Sequence, residues 1–217
     1  MTFVDRYREA GYEKNPFSTA ALSESSIFID RGLRPPEPGA RTMYQLIGDR
    51  GFGKSTHLKR WQGSQPGPMH YVPLRPYVER WAKPPTSGMT VYGDEIDRMP
   101  SLLRWRWFRS LAKAGATVII GTHVDLRGVA ERAGFTVVSH HLVPLTRDEV
   151  ECVVGQHVKR VRIGEPRVRF DSNDLDEIYA KTGGVPRDVE ALCHGLLADK
   201  IALLDSTPPQ ERSAMTT

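Results

Sequence analysis

Short apolar runs, separated by polar, glycine-rich and proline-rich stretches, occupy the chain up to residue 145. Five of these runs are β-branched and mostly uncharged, as is typical of parallel strands that are covered on both faces. The runs lie at residues 42–48, 69–74, 89–95, 116–122 and 135–145. Apolar residues with helical spacing lie between some of them, at residues 54–62 and 100–114. This alternation predicts an α/β fold with a five-stranded, mostly parallel sheet flanked by helices.

The pattern changes after residue 145, where three helices and no strand are predicted. Thr146 and Glu149 have the spacing of a capping box at the start of the first helix. The second helix opens near Asp171 or Ser172 and ends at the glycines 183–184, which suit the left-handed conformation that terminates helices. The third begins at Pro186, a favourable first-turn residue. A small C-terminal helical lid is therefore expected to follow the α/β core.

These patterns divide the chain into four parts. We expect residues 1–40 to form an N-terminal segment packing on the core and residues 41–145 to form the α/β core. Residues 146–204 are expected to form the three-helix lid, and residues 205–217 a disordered tail. Proline- and glycine-rich stretches at residues 31–40, 63–68 and 83–88 predict loops.

The composition is that of a globular protein, since 39% of the 217 residues are hydrophobic and 26% are charged. The net charge of +4 fits a nucleic-acid partner but is too small to decide for one. Cys152 and Cys193 are distant in sequence, which predicts reduced core cysteines. The N-terminus is charged throughout, and no apolar run approaches the roughly 20 residues that cross a bilayer. We therefore expect a cytoplasmic protein without a membrane partner.

The stretch "GDRGFGKST", residues 48–56, carries the clearest chemical signal. It fits G-x-x-x-x-G-K-[ST], follows a predicted strand and precedes a predicted helix. Its glycines allow backbone N–H groups to surround phosphate oxygens, while Lys54 would reach the β- and γ-phosphates and Ser55 would hold Mg²⁺. ATP and Mg²⁺ are thus the predicted cofactors. The predicted nucleotide-binding residues are Gly48, Asp49, Arg50, Gly51, Phe52, Gly53, Lys54, Ser55 and Thr56.

An acidic pair ends the third predicted strand, in "TVYGDEID". Asp94 would orient the metal ion, directly or through water, and Glu95 would polarise the water that attacks the γ-phosphorus. The alternative is a solvated acidic loop after a strand. Asp97 and Arg98, which follow, are expected to be surface residues.

The fourth predicted strand ends in "IIGTHVD". Thr122 lies where a polar side chain could contact the γ-phosphate or the attacking water, and His123 could do so if the strand end is shifted by one residue. The segment 122–125 is also similar to the guanine-reading element of GTPases. However, its lysine is absent, and the D-x-x-G sequence that GTPases carry after the third strand is replaced by "DEID". ATP is therefore the preferred nucleotide.

Taken together, the phosphate loop, the "DE" pair, the polar fourth-strand end and "TGGVPRDVEALC" resemble the AAA+ ATPases. The likeness spans roughly residues 10–204 and extends to "YEKNPF" and "SSIFID" before the phosphate loop. Within that class the chain resembles the compact bacterial ExeA-type and TniB/TnsC-type ATPases, and it is similar to the origin initiator ATPases. The resemblance implies an ATP-hydrolysing homo-oligomer. It also implies that Arg187 is the lid arginine near the γ-phosphate and that Arg132, or Arg127, acts on a neighbouring subunit.

The sequence leaves the partner and the activity class open. The basic stretches 104–113 and 159–169 could contact DNA, but helical spacing and solvation explain them as well. Double-stranded DNA and a protein partner are both candidates beside ATP and ADP. The preferred function is an ATP-driven switch that assembles with ATP. The alternative is a nucleotide-gated adaptor with little turnover, and a small-molecule kinase is a third, less favoured option.

Overall fold

The polypeptide forms two units, each with apolar clusters of its own. The computed structural model describes residues 3–18, 29, 31–35, 37–38, 41–72 and 89–206. One unit is Asp30–Val143, and the other combines Met1–Ile29 with Pro144–Thr217. The loop predicted at 83–88 and the chain beyond residue 206 lie outside the described residues.

The unit Asp30–Val143 is built on a sheet, and its described residues form five strands. The strands are β1 (Thr42–Ile47), β2 (Met69–Tyr71), β3 (Thr90–Asp94), β4 (Thr117–Thr122) and β5 (Thr136–His141). Their order is β2-β3-β4-β1-β5, and every neighbouring pair is parallel. The predicted α/β fold with a five-stranded sheet is confirmed, and the order brings the carboxyl ends of β1, β3 and β4 to one edge.

Helices cover both faces of this sheet. Successive strand residues point to opposite sides, and since the central strands are mostly apolar on both sides, each face has to be covered. The helices are α2 (Lys54–Ser64), α3 (Ser101–Lys113) and α4 (Arg127–Ala133). Phe108 and Leu111 of α3 share one apolar cluster with Met43 of β1, and α4 contributes to the same cluster. Leu58 of α2 shares another with Leu46 of β1. A 3₁₀ turn, Ile96–Arg98, follows β3.

The second unit contains α1 (Phe3–Glu9), α5 (Arg147–Val161), α6 (Ser172–Thr182) and α7 (Pro186–Ser206). Two of the three predicted helix starts are capping boxes, built by Thr146 with Glu149 and by Asp171 with Asp174. Gly184 has a φ of +75°, and a Cβ there would lie 2.0 Å from the Leu145 carbonyl oxygen. Glycine is therefore required where the α6–α7 turn contacts the backbone of Leu145, just before α5.

The N-terminal residues pack with these helices. Tyr7 and Tyr12 share an apolar cluster with Leu197 and Ile201 of α7. The Tyr12 hydroxyl also donates a hydrogen bond to the Val168 carbonyl oxygen at 2.5 Å. Among the described residues, no helix combines the length and apolar character needed to cross a membrane.

The two cysteines differ in their surroundings. Cys193 is buried in α7, and burial raises the pKa of its thiol to about 12. Cys152 lies on the exposed side of α5, so the expectation that both are core residues is wrong for Cys152. Both thiols are free.

Candidate phosphate-binding site

The predicted phosphate loop connects β1 to α2 through residues 48–53. Gly51 and Gly53 have φ angles of +94° and +86°, a region that glycine adopts without steric cost. Gly53 is the N-cap of α2, and the helix has neither a side-chain cap nor an acid in its first turn. The first N–H groups of α2 are therefore left available to an anion, which the positive end of the helix dipole also attracts.

The side chain of Lys54 lies inside this loop and bonds to its backbone. Its side chain is buried, at 6% exposure, and its Nζ donates hydrogen bonds to the carbonyl oxygens of Gly48 (2.6 Å) and Asp49 (2.9 Å). A buried ammonium group needs such acceptors because desolvation of an uncompensated charge is costly. The same group could exchange these carbonyls for phosphate oxygens, which bind a cation more strongly.

Ser55 and Asp94 join the loop to the end of β3. The Ser55 hydroxyl donates to Asp94 Oδ2 at 2.5 Å, although the two residues are 39 positions apart in the sequence. Asp94 Oδ1 is buried and accepts no hydrogen bond from the described part of the chain. A hydroxyl beside an unsatisfied carboxylate oxygen fits Mg²⁺, which proteins bind through one or two carboxylates together with substrate phosphates.

Gly121 lies next to the Asp94 carboxylate, on the neighbouring strand β4. It is the register partner of Asp94, and a Cβ at Gly121 would lie 2.9 Å from Asp94 Oδ1 and 3.2 Å from the Lys54 Cβ. Real Cβ atoms do not approach other atoms so closely without displacement. The absence of a side chain at Gly121 therefore leaves the room that Asp94 and Lys54 occupy, a requirement that the sequence pattern does not reveal.

Substitution of Gly121 by alanine is expected to displace Asp94 and weaken Mg²⁺-dependent nucleotide binding. Overpacking of this kind destabilises a folded core by about 1–3 kcal/mol. Isothermal titration with ATP, with and without Mg²⁺, together with thermal unfolding, measures both effects. Gly155→Ala is the matched control, because nothing lies within 4 Å of the added Cβ on α5 and alanine favours the helix. Equal ATP affinity in the presence of Mg²⁺ for Gly121→Ala and wild type would contradict this role.

Glu95 adopts an unusual conformation at the start of the 3₁₀ turn. Its φ is +58°, in the left-handed region that non-glycine residues seldom occupy. Its backbone N–H donates to the Gly121 carbonyl oxygen at 2.9 Å, and its carboxylate forms an ion pair with Arg98. Strained backbone of this kind clusters at functional sites. Arg98, expected to be a surface residue, is instead the partner of the predicted catalytic carboxylate.

The end of β4 places Thr122 and His123 differently. Thr122 is fully buried, and its hydroxyl donates to the Val124 carbonyl oxygen at 2.8 Å. His123 is partly exposed; its Nδ1 lies 3.1 Å from Asp97 Oδ2, and its backbone N–H donates to Asp97 Oδ1 at 3.4 Å. The hydroxyl of Thr122 is thus engaged locally, whereas His123 Nε2 has no partner among the described residues.

Asp125 has a structural role at the start of α4. Its carboxylate accepts hydrogen bonds from the Arg127 backbone N–H at 2.8 Å and from Gln45 Nε2 at 2.5 Å. The backbone hydrogen bond is the main cause that lowers the pKa of Asp125. Both hydrogen bonds are made to Oδ1, so this oxygen of the carboxylate is already engaged within the unit.

The three candidate arginines also differ. Arg127 donates to the Val137 carbonyl oxygen at 3.0 Å and to the Ser139 hydroxyl at 2.8 Å, which ties it to β5. Arg132 in the last turn of α4 and Arg187 in the first turn of α7 are exposed. Neither makes an ion pair or a hydrogen bond with the described residues. The geometry therefore favours Arg132 over Arg127 as a group available to another molecule.

Comparison with known proteins identifies the fold. A scan against protein-family models and a search of curated proteins give no match for this chain. A solved structure of a DNA replication initiation factor resembles it with a TM-score of 0.51 and 13% identity, over 76% of this chain and 58% of that chain. The ORC1 protein of Aeropyrum pernix in complex with DNA gives a TM-score of 0.48 and 14% identity, over 80% of this chain and 58% of that one.

This chain therefore spans 58% of the length of either solved structure. The likeness shows the fold alone, an α/β core built on a parallel five-stranded sheet and accompanied by a helical unit.

Proposed function

We propose that this chain is an ATP-binding and ATP-hydrolysing molecular switch of the AAA+ type. The observation that carries the proposal is the hydrogen bond between Ser55 and Asp94, at the mouth of a loop closed by buried Lys54. A hydroxyl, a carboxylate and an ammonium group in this arrangement provide what a nucleotide phosphate chain and its divalent cation require.

Each residue of the site has a defined part in this proposal. Lys54 and the N–H groups of the loop bind the β- and γ-phosphates. Ser55 and Asp94 hold Mg²⁺, whose charge offsets the negative charge of the phosphates. Thr122, which the sequence predicts for this role, contacts the γ-phosphate or the attacking water. The alternative is the neighbouring His123, because its Nε2 has no partner among the described residues whereas the Thr122 hydroxyl is hydrogen-bonded to Val124.

Glu95 is the general base that accepts a proton from the attacking water. Its carboxylate is held by Arg98, so Glu95 must leave this ion pair before it can orient water. We infer that the arrangement is a resting state in which ATP can be bound without being hydrolysed. Arg187 stands at the positive end of α7, where a cation is unfavourable, and an anionic phosphate would remove that disadvantage.

The proposal includes ATP-dependent assembly of several copies, with double-stranded DNA as a candidate surface for it. Arg132 then completes the site of a neighbouring copy. Arg132→Ala is expected to spare ATP binding and to slow hydrolysis by about 10³-fold, as loss of an arginine finger does. The measurements are ATPase rate, ATP affinity and oligomeric size on the same samples.

Arg127→Ala is the comparison variant for this experiment. It removes the hydrogen bonds to β5, so it is expected to lower the melting temperature while leaving the rate per folded molecule near that of wild type. A protein that stays monomeric with ATP and hydrolyses it at full rate after Arg132→Ala would contradict the assembly proposal.

The Glu95–Arg98 ion pair also favours a second candidate, a nucleotide-gated adaptor with little turnover that controls a protein partner. A single experiment distinguishes the two candidate functions. We would record ATP hydrolysis and oligomeric size together, with and without double-stranded DNA. ATP-dependent assembly with turnover supports the switch, whereas ATP binding by a monomer with negligible turnover supports the adaptor.

A further inference from the structure

The outward face of α3 carries a row of cations that have no counter-charge among the described residues. Arg106, Arg109 and Lys113, the α3 basic row, are exposed and stand at helical spacings of three and four residues. The helix contains no acid, and no member of the row makes an ion pair with the described residues. The opposite face, with Phe108 and Leu111, is buried against the sheet.

Several other cations of the chain form ion pairs with acids of their own unit. Arg147 pairs with Asp176, Lys181 pairs with Glu177, and Glu165 accepts ion pairs from Arg162 and from Arg169. The α3 basic row instead places like charges at neighbouring helical positions, an arrangement that is unfavourable for an isolated helix. A polyanion bound along this face would remove the repulsion.

The aromatic residue of this face is not an open stacking surface. Trp105 is partly buried, and the guanidinium carbon of Arg109 lies 5.6 Å from its ring centroid. Proteins that bind single strands without sequence preference use exposed aromatic rings on which bases stack. Because Arg109 covers the Trp105 ring, bases cannot stack on it. This face is therefore suited to contact with phosphates rather than with bases.

We propose that the α3 basic row binds the phosphate backbone of double-stranded DNA without reading its sequence. The three cations span eight residues, whose seven intervals correspond to about 10 Å of helix axis. That distance matches a few phosphates of one strand, which follow one another every 3.4 Å or so along the duplex. The inference rests on the proposed function for its biological setting, but the contact itself needs no nucleotide.

The experiment measures binding of a labelled random-sequence duplex by fluorescence anisotropy, without nucleotide, from about 50 to 200 mM salt. Arg106→Gln combined with Arg109→Gln is expected to weaken binding at low salt by tenfold or more. It should also reduce the slope of log K against log salt by about 2, since each lost phosphate contact removes about 0.9. The lysine pair, Arg106→Lys with Arg109→Lys, should retain the wild-type slope because both charges remain.

Arg162→Gln combined with Arg169→Gln is the matched control, because it removes the same charge from cations that already pair with Glu165. ATP affinity, measured in parallel, separates failure of this inference from failure of the nucleotide site. The inference is overturned if wild type does not bind the duplex, or if the α3 and control variants lose binding equally. Tighter binding to single strands than to duplex, or binding only to anionic phosphatidylserine vesicles, would also overturn it.

Discussion

Replacing Lys54 with alanine is expected to weaken ATP binding at least a hundredfold, because charge-assisted hydrogen bonds contribute about 1.5–3 kcal/mol each. The expectation follows from the position of Nζ, which is buried inside the loop and donates to Gly48 and Asp49. Alanine would leave phosphate oxygens without this cation at the centre of the loop. Isothermal titration with ATP and Mg²⁺ measures the loss.

The control for this prediction is Lys59→Ala, which makes the same change at an exposed position of α2. It should leave ATP affinity unchanged. Since Lys54 also satisfies two loop carbonyls, thermal unfolding of both variants is needed to show that the fold is retained, and Lys54→Arg keeps the charge as a second test. ATP affinity equal to wild type in folded Lys54→Ala protein would refute the assignment of residues 48–55 as a phosphate-binding loop.

Replacing Glu95 with glutamine is expected to leave ATP binding intact and to reduce hydrolysis by about 10²- to 10⁴-fold, the contribution typical of a general base. Glutamine keeps the shape of the side chain but cannot accept a proton from water. It also weakens the contact with Arg98, so any loss of rate cannot come from a tighter hold on the side chain. Single-turnover hydrolysis of bound ATP separates the chemical step from product release.

Two further variants serve as controls for the interpretation of the Glu95→Gln result. Glu151→Gln changes an exposed glutamate of α5 and should leave the rate unchanged. Arg98→Ala releases the Glu95 carboxylate, so hydrolysis should be retained or increased if the ion pair is a restraint on the resting state. Turnover in Glu95→Gln protein at the wild-type rate would refute the general-base role and leave the adaptor as the better description.

Much of the fold could be predicted because its signals are local. The five apolar runs each contain a strand, and the capping box predicted from Thr146 and Glu149 fixes the start of α5. The helices α1 and α4 were not predicted, since each has only seven residues and too few apolar positions for a clear period. Contacts with other elements stabilise such short helices, and these contacts are not visible in a local pattern.

By itself, the sequence predicted the phosphate loop, because its glycines, Lys54 and Ser55 lie in one contiguous segment whose spacing alone carries the signal. The sequence also predicted Asp94 and Glu95 beside that loop, whereas only the tertiary structure decided that Gly121 and Arg98 are their neighbours. The parallel register of β3 and β4 sets Gly121 behind Asp94, and the left-handed backbone at Glu95 directs its carboxylate to Arg98. Strand order and register arise from packing between residues far apart in the chain, so a one-dimensional pattern does not contain them.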